Sequence, residues 1–207
     1  MGTRGLVGIK VNGKYSGYYN HYDSYPEGLG HGMVEFVQKL DALNIETMRN
    51  NCANLIIVKS NSEPTNEEIG KYSQFRDSSI WNGGDWYALL RNIQGSGYLD
   101  AILCGKLEHV FDDIWFIGDS LFCEYAYILN LDELTLDFYR GFQHEPQEFN
   151  PFGDAYEESV SGSKYYPCAK ILSIPFGVIK QYEVKQIVEI MILSISILEK
   201  EDEEDVS

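Results

Sequence analysis

The sequence is short of base, of cysteine and of long apolar runs, and each shortage removes a class of function. It has 16 Lys and Arg against 32 Asp and Glu, a formal net charge of −16. Phosphate backbones are gripped by an excess of Lys and Arg, so nucleic acid is not expected as a partner. The run 199–205 holds six acids and one Lys, which accounts for −5 and leaves −11 elsewhere. Such a balance suits a soluble protein, or one that presents acid to a basic partner. The longest apolar run, Ile187 to Leu198, is twelve residues and contains Glu189. A bilayer span needs about 20 apolar residues, so no membrane partner is expected. The first residues lack the basic and then apolar pattern of a secretory signal. Leu6 stands where a myristoylation signal needs Ser or Thr. The expected location is the cytoplasm.

The four cysteines, Cys52, Cys104, Cys123 and Cys168, are irregularly spaced and form no C-x-x-C pair. The expectation is reduced, mostly buried thiols, with no metal and no cofactor. No Pro/Ser/Gly-rich linker divides the chain. At 207 residues and 44% hydrophobic content it is long and apolar enough for one sizeable core. One domain over 1–198 and a solvated acidic tail over 199–207 are expected.

What the sequence does contain is concentrated between Arg4 and Gly32. Asn12-Gly13 is the preferred pair for a type I′ turn, because both central residues need positive φ. A two-residue turn fixes the hairpin register: Val11 opposite Lys14, Ile9 opposite Ser16, Val7 opposite Tyr18. That face is expected to meet the core. The other face carries Lys10 with Tyr15, Gly8 with Gly17 and Leu6 with Tyr19. Extended by two residues, it sets Arg4 opposite His21. The Gly8–Gly17 pair leaves a bare patch that another backbone, helix or ligand can approach. A guanidinium beside an imidazole favours the neutral ring, the form a general base needs. The loop that follows, Asn20 to Gly32, holds His21, Asp23 and Tyr25 ahead of Pro26. Its glycines, Gly28, Gly30 and Gly32, either permit a tight loop or open a helix N-terminus to an anion.

Beyond the loop, apolar spacing predicts a helix from His31 to Leu43. Leu55 to Val58 reads as a short strand. Thr65 and Glu68 have capping-box spacing ahead of Ile69, Tyr72 and Phe75. Asp85 caps a helix from Trp86 to Gln94, with Arg91 and Gln94 off its apolar stripe, and Tyr98 to Cys104 is a further short helix. From Ile114 the pattern turns to strands. Tyr125, Tyr127, Leu129 and Leu131 share a face, and a bend at Asp132-Glu133 leads to Leu134, Leu136 and Phe138. Residues 141–166 are a long polar excursion, either a lid or a surface loop. Ala169 to Ile174 is a last strand and Val184 to Leu198 a last helix. The fold class is α+β: a mixed or antiparallel sheet built on two β-hairpins, with helices packed against it.

Four segments carry a resemblance. They are Thr3-Arg4-Gly5, the stretch Tyr19 to Gly30, Asp85 to Arg91, and Asp119 to Tyr125. Together they resemble an uncharacterised family of small proteins of bacteria, phages, large viruses and some fungi. The resemblance covers roughly residues 3 to 142 and implies no particular activity. A looser likeness to the opening hairpin of Ntn-type amidotransferases lacks the N-terminal nucleophile that group requires.

Two functions fit these residues. In the first, a polar pocket on the Asn20–Pro26 loop makes the protein a hydrolase or transferase of a small polar or anionic ligand. His21, Asp23 and Tyr25 are then the catalytic candidates, and Arg4, Arg91 and Asp119 bind the ligand. Cys123 is a further candidate nucleophile. In the second, a non-enzymatic acidic protein uses its tyrosines and tail to bind a partner protein, as in viral or mobile-element counter-defence. Convergence of the motifs in one cleft favours the first.

Overall fold

The computed structural model describes residues 2–59 and 62–205, with side chains as far as residue 198. Ser60 and Asn61 of the polar loop, and the side chains of the acidic tail, lie outside the described residues.

The first hairpin follows its turn chemistry. Asn12 and Gly13 both have positive φ, 52° and 73°. Strands β1 (Gly5–Val11) and β2 (Lys14–Asn20) pair as the turn dictates, with Val7 opposite Tyr18, Gly8 opposite Gly17 and Ile9 opposite Ser16. Asp132 holds the turn from outside. Its Oδ1 accepts from the Asn12 N–H at 2.7 Å and its Oδ2 from the Gly13 N–H at 2.8 Å.

A π-helical turn, Pro26–Gly30, runs into α1 (His31–Lys39). Leu40 is extended, and Asp41 then caps α2 (Ala42–Ala53) by accepting from the Asn44 N–H at 2.7 Å. The helix expected over 31–43 therefore stops at Lys39. Leu43, expected on its apolar stripe, is 74% exposed. Helix α2 went unpredicted because it buries little; Met48 is its buried residue.

The run at 55–58 forms only β3 (Ile56–Ile57). Helix α3 (Asn66–Tyr72) opens on the Thr65–Glu68 capping box, as its spacing predicts. Asp85 caps α4 (Trp86–Leu89) by accepting from the Tyr87 N–H at 2.8 Å. This helix is shorter than the 86–94 expected, although Trp86, Leu89, Leu90 and Ile93 are all buried. Next come α5 (Gly97–Leu103) and β4 (His109–Val110), which pairs with β3 in parallel. Residues Ile114–Gly118 form a 3₁₀ turn, so the strand pattern expected from Ile114 begins only at Tyr125.

The second hairpin is β5 (Tyr125–Asn130) and β6 (Thr135–Arg140). The short pair β7 (Glu157–Glu158) and β8 (Lys164–Tyr165) lies within the long excursion. Strand β9 (Ala169–Pro175), α6 (Phe176–Ile179) and α7 (Val184–Asp205) close the chain. The backbone of α7 continues through the boundary expected at 198 without a break.

The main sheet has the order β2-β1-β5-β6-β9. The β1–β5 pair is parallel and the others are antiparallel. The fold is thus α+β, a mixed sheet in which the two hairpins lie side by side. One sheet face, with Val7, Tyr18, Tyr127, Leu129 and Phe138, packs on the helices through Met33, Phe36, Leu89, Leu99 and Ile187. The other face carries Leu6, Ala126, Ile128 and Tyr139. It is covered by Phe116 and Ile117 of the 3₁₀ turn, with Cys123 and Cys168. Phe152 of the excursion packs edge-on to Tyr15 and Tyr139, with ring centroids 5.1 and 5.6 Å apart. Part of that segment is therefore a cover for the sheet.

The Gly8–Gly17 patch receives a backbone. A Cβ on Gly17 would stand 2.9 Å from the Ile114 Cα. The approach is fixed by three hydrogen bonds. The Asp113 N–H donates to the Gly17 carbonyl at 2.7 Å, and Asp112 Oδ1 accepts from the N–H groups of Gly17 and Ile114 at 2.9 and 3.1 Å. The hairpin thereby decides where residues 111–116 run, and those residues build one wall of the site.

Candidate functional site

A cavity of about 790 Å³ opens beside the end of β2. Three segments far apart in sequence meet around it: Tyr19 and His21, then Asp85 to Gln94, then Phe111 to Phe116. Ile57 and Val58 complete one side, and Tyr98 reaches it from α5. The Tyr98 ring stacks on Tyr18 at 4.6 Å, tying the cavity to the core. The walls mix polar side chains with six Phe, Trp and Tyr rings, whereas the Asn20–Pro26 loop led to the expectation of a polar pocket. The reason is tertiary: the 3₁₀ turn brings in Trp115 and Phe116, and α4 brings in Tyr87.

The polar groups are arranged as follows. His21 Nδ1 lies 2.7 Å from the Tyr19 hydroxyl, and its backbone N–H donates to Gln94 Oε1 at 3.0 Å. Gln94 Nε2 donates to the Arg91 carbonyl at 3.0 Å. One amide thus joins the two segments. The Arg91 guanidinium lies over the Tyr19 and Tyr87 rings, 5.9 and 5.3 Å from their centroids. Cation–π contacts of this kind orient a charge without neutralising it. The carboxylates are spent on backbone donors: Asp112 as described, Asp113 on the Tyr19 N–H at 3.3 Å, and Asp85 on the cap of α4. Among the described residues, Arg91 makes no ion pair.

Protonation follows from this setting. The pKa of His21 is lowered, first by burial and then by the charges of Arg91 and Arg4. The Arg4 effect is the one the hairpin register implies; burial and Arg91, which outrank it, come from the tertiary structure. Burial raises the Tyr19 pKa against the pull of Arg4 and Arg91. Burial also raises the Asp113 pKa, opposed by the Tyr19 N–H and reinforced by Asp112.

Of the six residues singled out from the sequence, His21 and Arg91 line this cavity. Arg4 is a neighbour outside it: its guanidinium is drawn 4.4 Å from the centre of the Phe122 ring, and its backbone N–H donates to Glu124 Oε1 at 3.2 Å. Asp119 also lies off the cavity. Its carboxyl is raised by burial, and Arg4 is among the groups that pull it back down. Asp23 and Tyr25 do not line the cavity and are exposed. The loop takes them away because Asp23 has positive φ, 52°, and its carbonyl accepts from the Leu29 N–H at 2.8 Å.

The buried members of the loop are Asn20 and Ser24. Asn20 Nδ2 donates to the Ser24 hydroxyl at 2.8 Å and to the Tyr22 carbonyl at 2.5 Å, and the Tyr127 hydroxyl donates to the Ser24 carbonyl at 3.0 Å. Half of this polar motif therefore serves to hold the loop. The glycines act in the same way. A Cβ on Gly28 would sit 2.1 Å from the Asp23 carbonyl, and one on Gly30 about 3.0 Å from the Tyr127 ring. Gly30, at the cap of α1, is itself helical, so the loop feeds straight into the helix with no open N-terminus for an anion.

Cys123 is fully buried, and burial pushes its thiol pKa well up, so it is a core residue and not a nucleophile. The wall residues Tyr87, Asp112, Asp113, Trp115 and Phe116 were missed as candidates. The usable signal was that Gln94 and Arg91 fall off the stripe of their helix. Behind the cavity, His109 holds the walls in register. It stacks on Trp86 at 5.1 Å, with Nδ1 2.8 Å from the Tyr72 hydroxyl and Nε2 3.1 Å from Glu68.

Among the described residues, no group of three His, Cys, Asp or Glu side chains is placed to hold a metal ion, and no helix is long and apolar enough to cross a membrane. No protein-family model matches the chain, and neither a curated protein nor a solved structure does.

Proposed function

We propose that the cavity binds a small ligand with an anionic group and an apolar or planar body, and that the protein is a hydrolase or transferase acting on it. The observation that carries this reading is the meeting of His21, Tyr19, Gln94 and Arg91 around one cavity, with Arg91 in no ion pair among the described residues. Arg91 holds the anion or the charge that develops on it. Tyr87, Trp115 and Phe116 pack on the ligand's body. His21, neutral at physiological pH, is the general base at Nε2 when Nδ1–H donates to the Tyr19 oxygen, which fixes the ring.

The test is a thermal-shift and calorimetric screen of small phosphates, carboxylates and nucleotides, with mass spectrometry of any co-purified ligand. Arg91→Gln should weaken binding of the hit by about tenfold or more, as loss of a charge-assisted contact does. His21→Ala should leave binding within a few-fold and abolish turnover. A hit whose affinity ignores Arg91→Gln refutes the assignment of the anion.

A second reading rests on the rim. Trp115, Tyr87 and Ile57 are 68, 52 and 52% exposed, which suits a peptide of a partner protein. Binding of a peptide without turnover, lost on Trp115→Ala and indifferent to His21→Ala, would favour it.

A further inference from the structure

We infer that Asp112, Asp113 and Tyr98 form an ammonium subsite in the cavity, so that its ligand is an amino acid with an apolar or aromatic side chain. This rests on the reading of the cavity as a small-ligand site with an anion held by Arg91, and it adds a second charge. The wall itself asks for that charge. Asp85, Asp112 and Asp113 line the cavity against the single charge of Arg91, because His21 is held neutral. A ligand with an anion alone would meet a wall that is net negative. Among the described residues, none of the three carboxylates is in an ion pair. Backbone donors occupy Oδ1 of Asp112 and Oδ2 of Asp113. The other oxygen of each accepts nothing among the described residues.

Tyr98 is an independent sign. It lines the cavity and is only 5% exposed, yet its hydroxyl makes no hydrogen bond among the described residues. A buried hydroxyl without a partner in its own chain wants one from outside. The fully enclosed polar side-chain atoms left without a partner are, among the described residues, Arg76 Nε and the Tyr139 hydroxyl. The Tyr98 hydroxyl and the free oxygens of Asp112 and Asp113 are therefore open, and the cavity is the space their residues line. Burial and then Asp113 raise the Tyr98 pKa, and Arg91 pulls it down. The hydroxyl thus keeps its proton and stands in the field of both charges.

The free groups match an ammonium in number and kind. An ammonium has three donors and no acceptor. Asp112 Oδ2, Asp113 Oδ1 and the Tyr98 oxygen are three acceptors, two of them charged. Tyr19 and Phe116, packed edge to face at 5.1 Å, add ring faces that favour a cation. A metal ion does not suit the place, because no group of three His, Cys, Asp or Glu among the described residues is set to hold one. The Tyr98 proton is left for the ligand's carboxylate, which Arg91 holds. An amino acid carries its ammonium and carboxylate on one carbon, as a hydroxyl that feels both Asp113 and Arg91 requires. Its side chain is the apolar or planar body that Tyr87 and Trp115 receive.

The experiment is calorimetric titration of the full chain with three compounds that share one body. They are phenylalanine, 3-phenylpropionate, which lacks the ammonium, and phenethylamine, which lacks the carboxylate. Phenylalanine should bind most tightly, and loss of the ammonium should weaken binding by about tenfold or more. Asp113→Asn keeps an acceptor for the Tyr19 N–H. It should weaken phenylalanine and phenethylamine by about tenfold and leave 3-phenylpropionate no weaker, which also shows the variant to be folded. Tyr98→Phe keeps the ring stacked on Tyr18 and should weaken the same two compounds a few-fold. If 3-phenylpropionate binds as tightly as phenylalanine, or phenethylamine ignores Asp113→Asn, the ammonium subsite is overturned and Arg91 still stands as the anion site. If 3-phenylpropionate ignores Arg91→Gln while phenethylamine answers to Asp113→Asn, the anion reading fails and the ammonium subsite stands. No binding of phenylalanine at about 10 mM overturns the amino-acid assignment.

Discussion

Adding a methyl group at Gly17 separates packing from backbone freedom in this fold. Gly17 does not have positive φ, so alanine there costs only what the new Cβ meets. It would meet the Ile114 Cα at 2.9 Å and two methyls of Leu6 at 2.9 and 3.0 Å. Ordinary carbon contacts lie near 3.5–4.0 Å. Leu6 is fully buried and cannot swing away freely, and Ile114 is backbone, pinned by the bonds of Asp112 and Asp113. Overpacking of this kind costs about 1–3 kcal/mol, against a gain of about 0.4–1 kcal/mol from a stiffer unfolded chain. A net loss of about 1–2 kcal/mol is expected for Gly17→Ala. Gly8→Ala is the control on the same face. Its Cβ would meet chiefly the Cδ1 of Ile128. Ile128 is as buried as Leu6, but its Cδ1 is the far end of a side chain and the nearest backbone atom, the Ser16 carbonyl oxygen, stands 3.3 Å away, so a rotamer change at about 0.5–1.5 kcal/mol relieves the contact without moving backbone. The gain in unfolded-chain stiffness offsets most of that. Urea unfolding gives both values from the shift in midpoint. Gly17→Ala should also displace Trp115 and Phe116 and weaken whatever ligand the cavity binds, whereas Gly8→Ala should not. A Gly17→Ala protein as stable as its parent, or less perturbed than Gly8→Ala, would refute the account of how the hairpin seats the 111–116 wall.

Two further outcomes follow from the hydrogen bonds. Asn20→Ala should cost about 1–3 kcal/mol, because it strips the buried Ser24 hydroxyl of its donor, while Asp23→Asn should stay within about 0.5 kcal/mol; thermal melts of the pair check the ordering. Asp132→Ala should cost about 1 kcal/mol at neutral pH by freeing the Asn12 and Gly13 N–H groups. Those bonds lower the Asp132 pKa in the folded protein, the Gly13 N–H first. The carboxylate's contribution is therefore present above its unfolded value near 3.9 and fades as pH falls through the lower folded value, so variant and parent should converge in acid.

The sequence determined those features that rest on local chemistry. Asn12-Gly13 set the register of β1 and β2 residue by residue, because a two-residue turn leaves no freedom. The Thr65–Glu68 spacing set the start of α3, and the alternation after Tyr125 set the core face of β5. His21 and Arg91 were legible as chemistry-bearing residues placed where local folding does not require them. Tertiary structure decided the rest. That β1 lies parallel to β5, and so joins the two hairpins, is a pairing across more than a hundred residues that no local pattern encodes. The split of the loop into buried Asn20 and Ser24 and exposed Asp23 and Tyr25 depends on which side chain Tyr127 and Gly28 leave room for. The bare Gly8–Gly17 patch was legible in the hairpin register, but that Phe111 to Phe116 is the segment that closes on Gly17 and becomes a wall of the site is a long-range contact that no local pattern encodes.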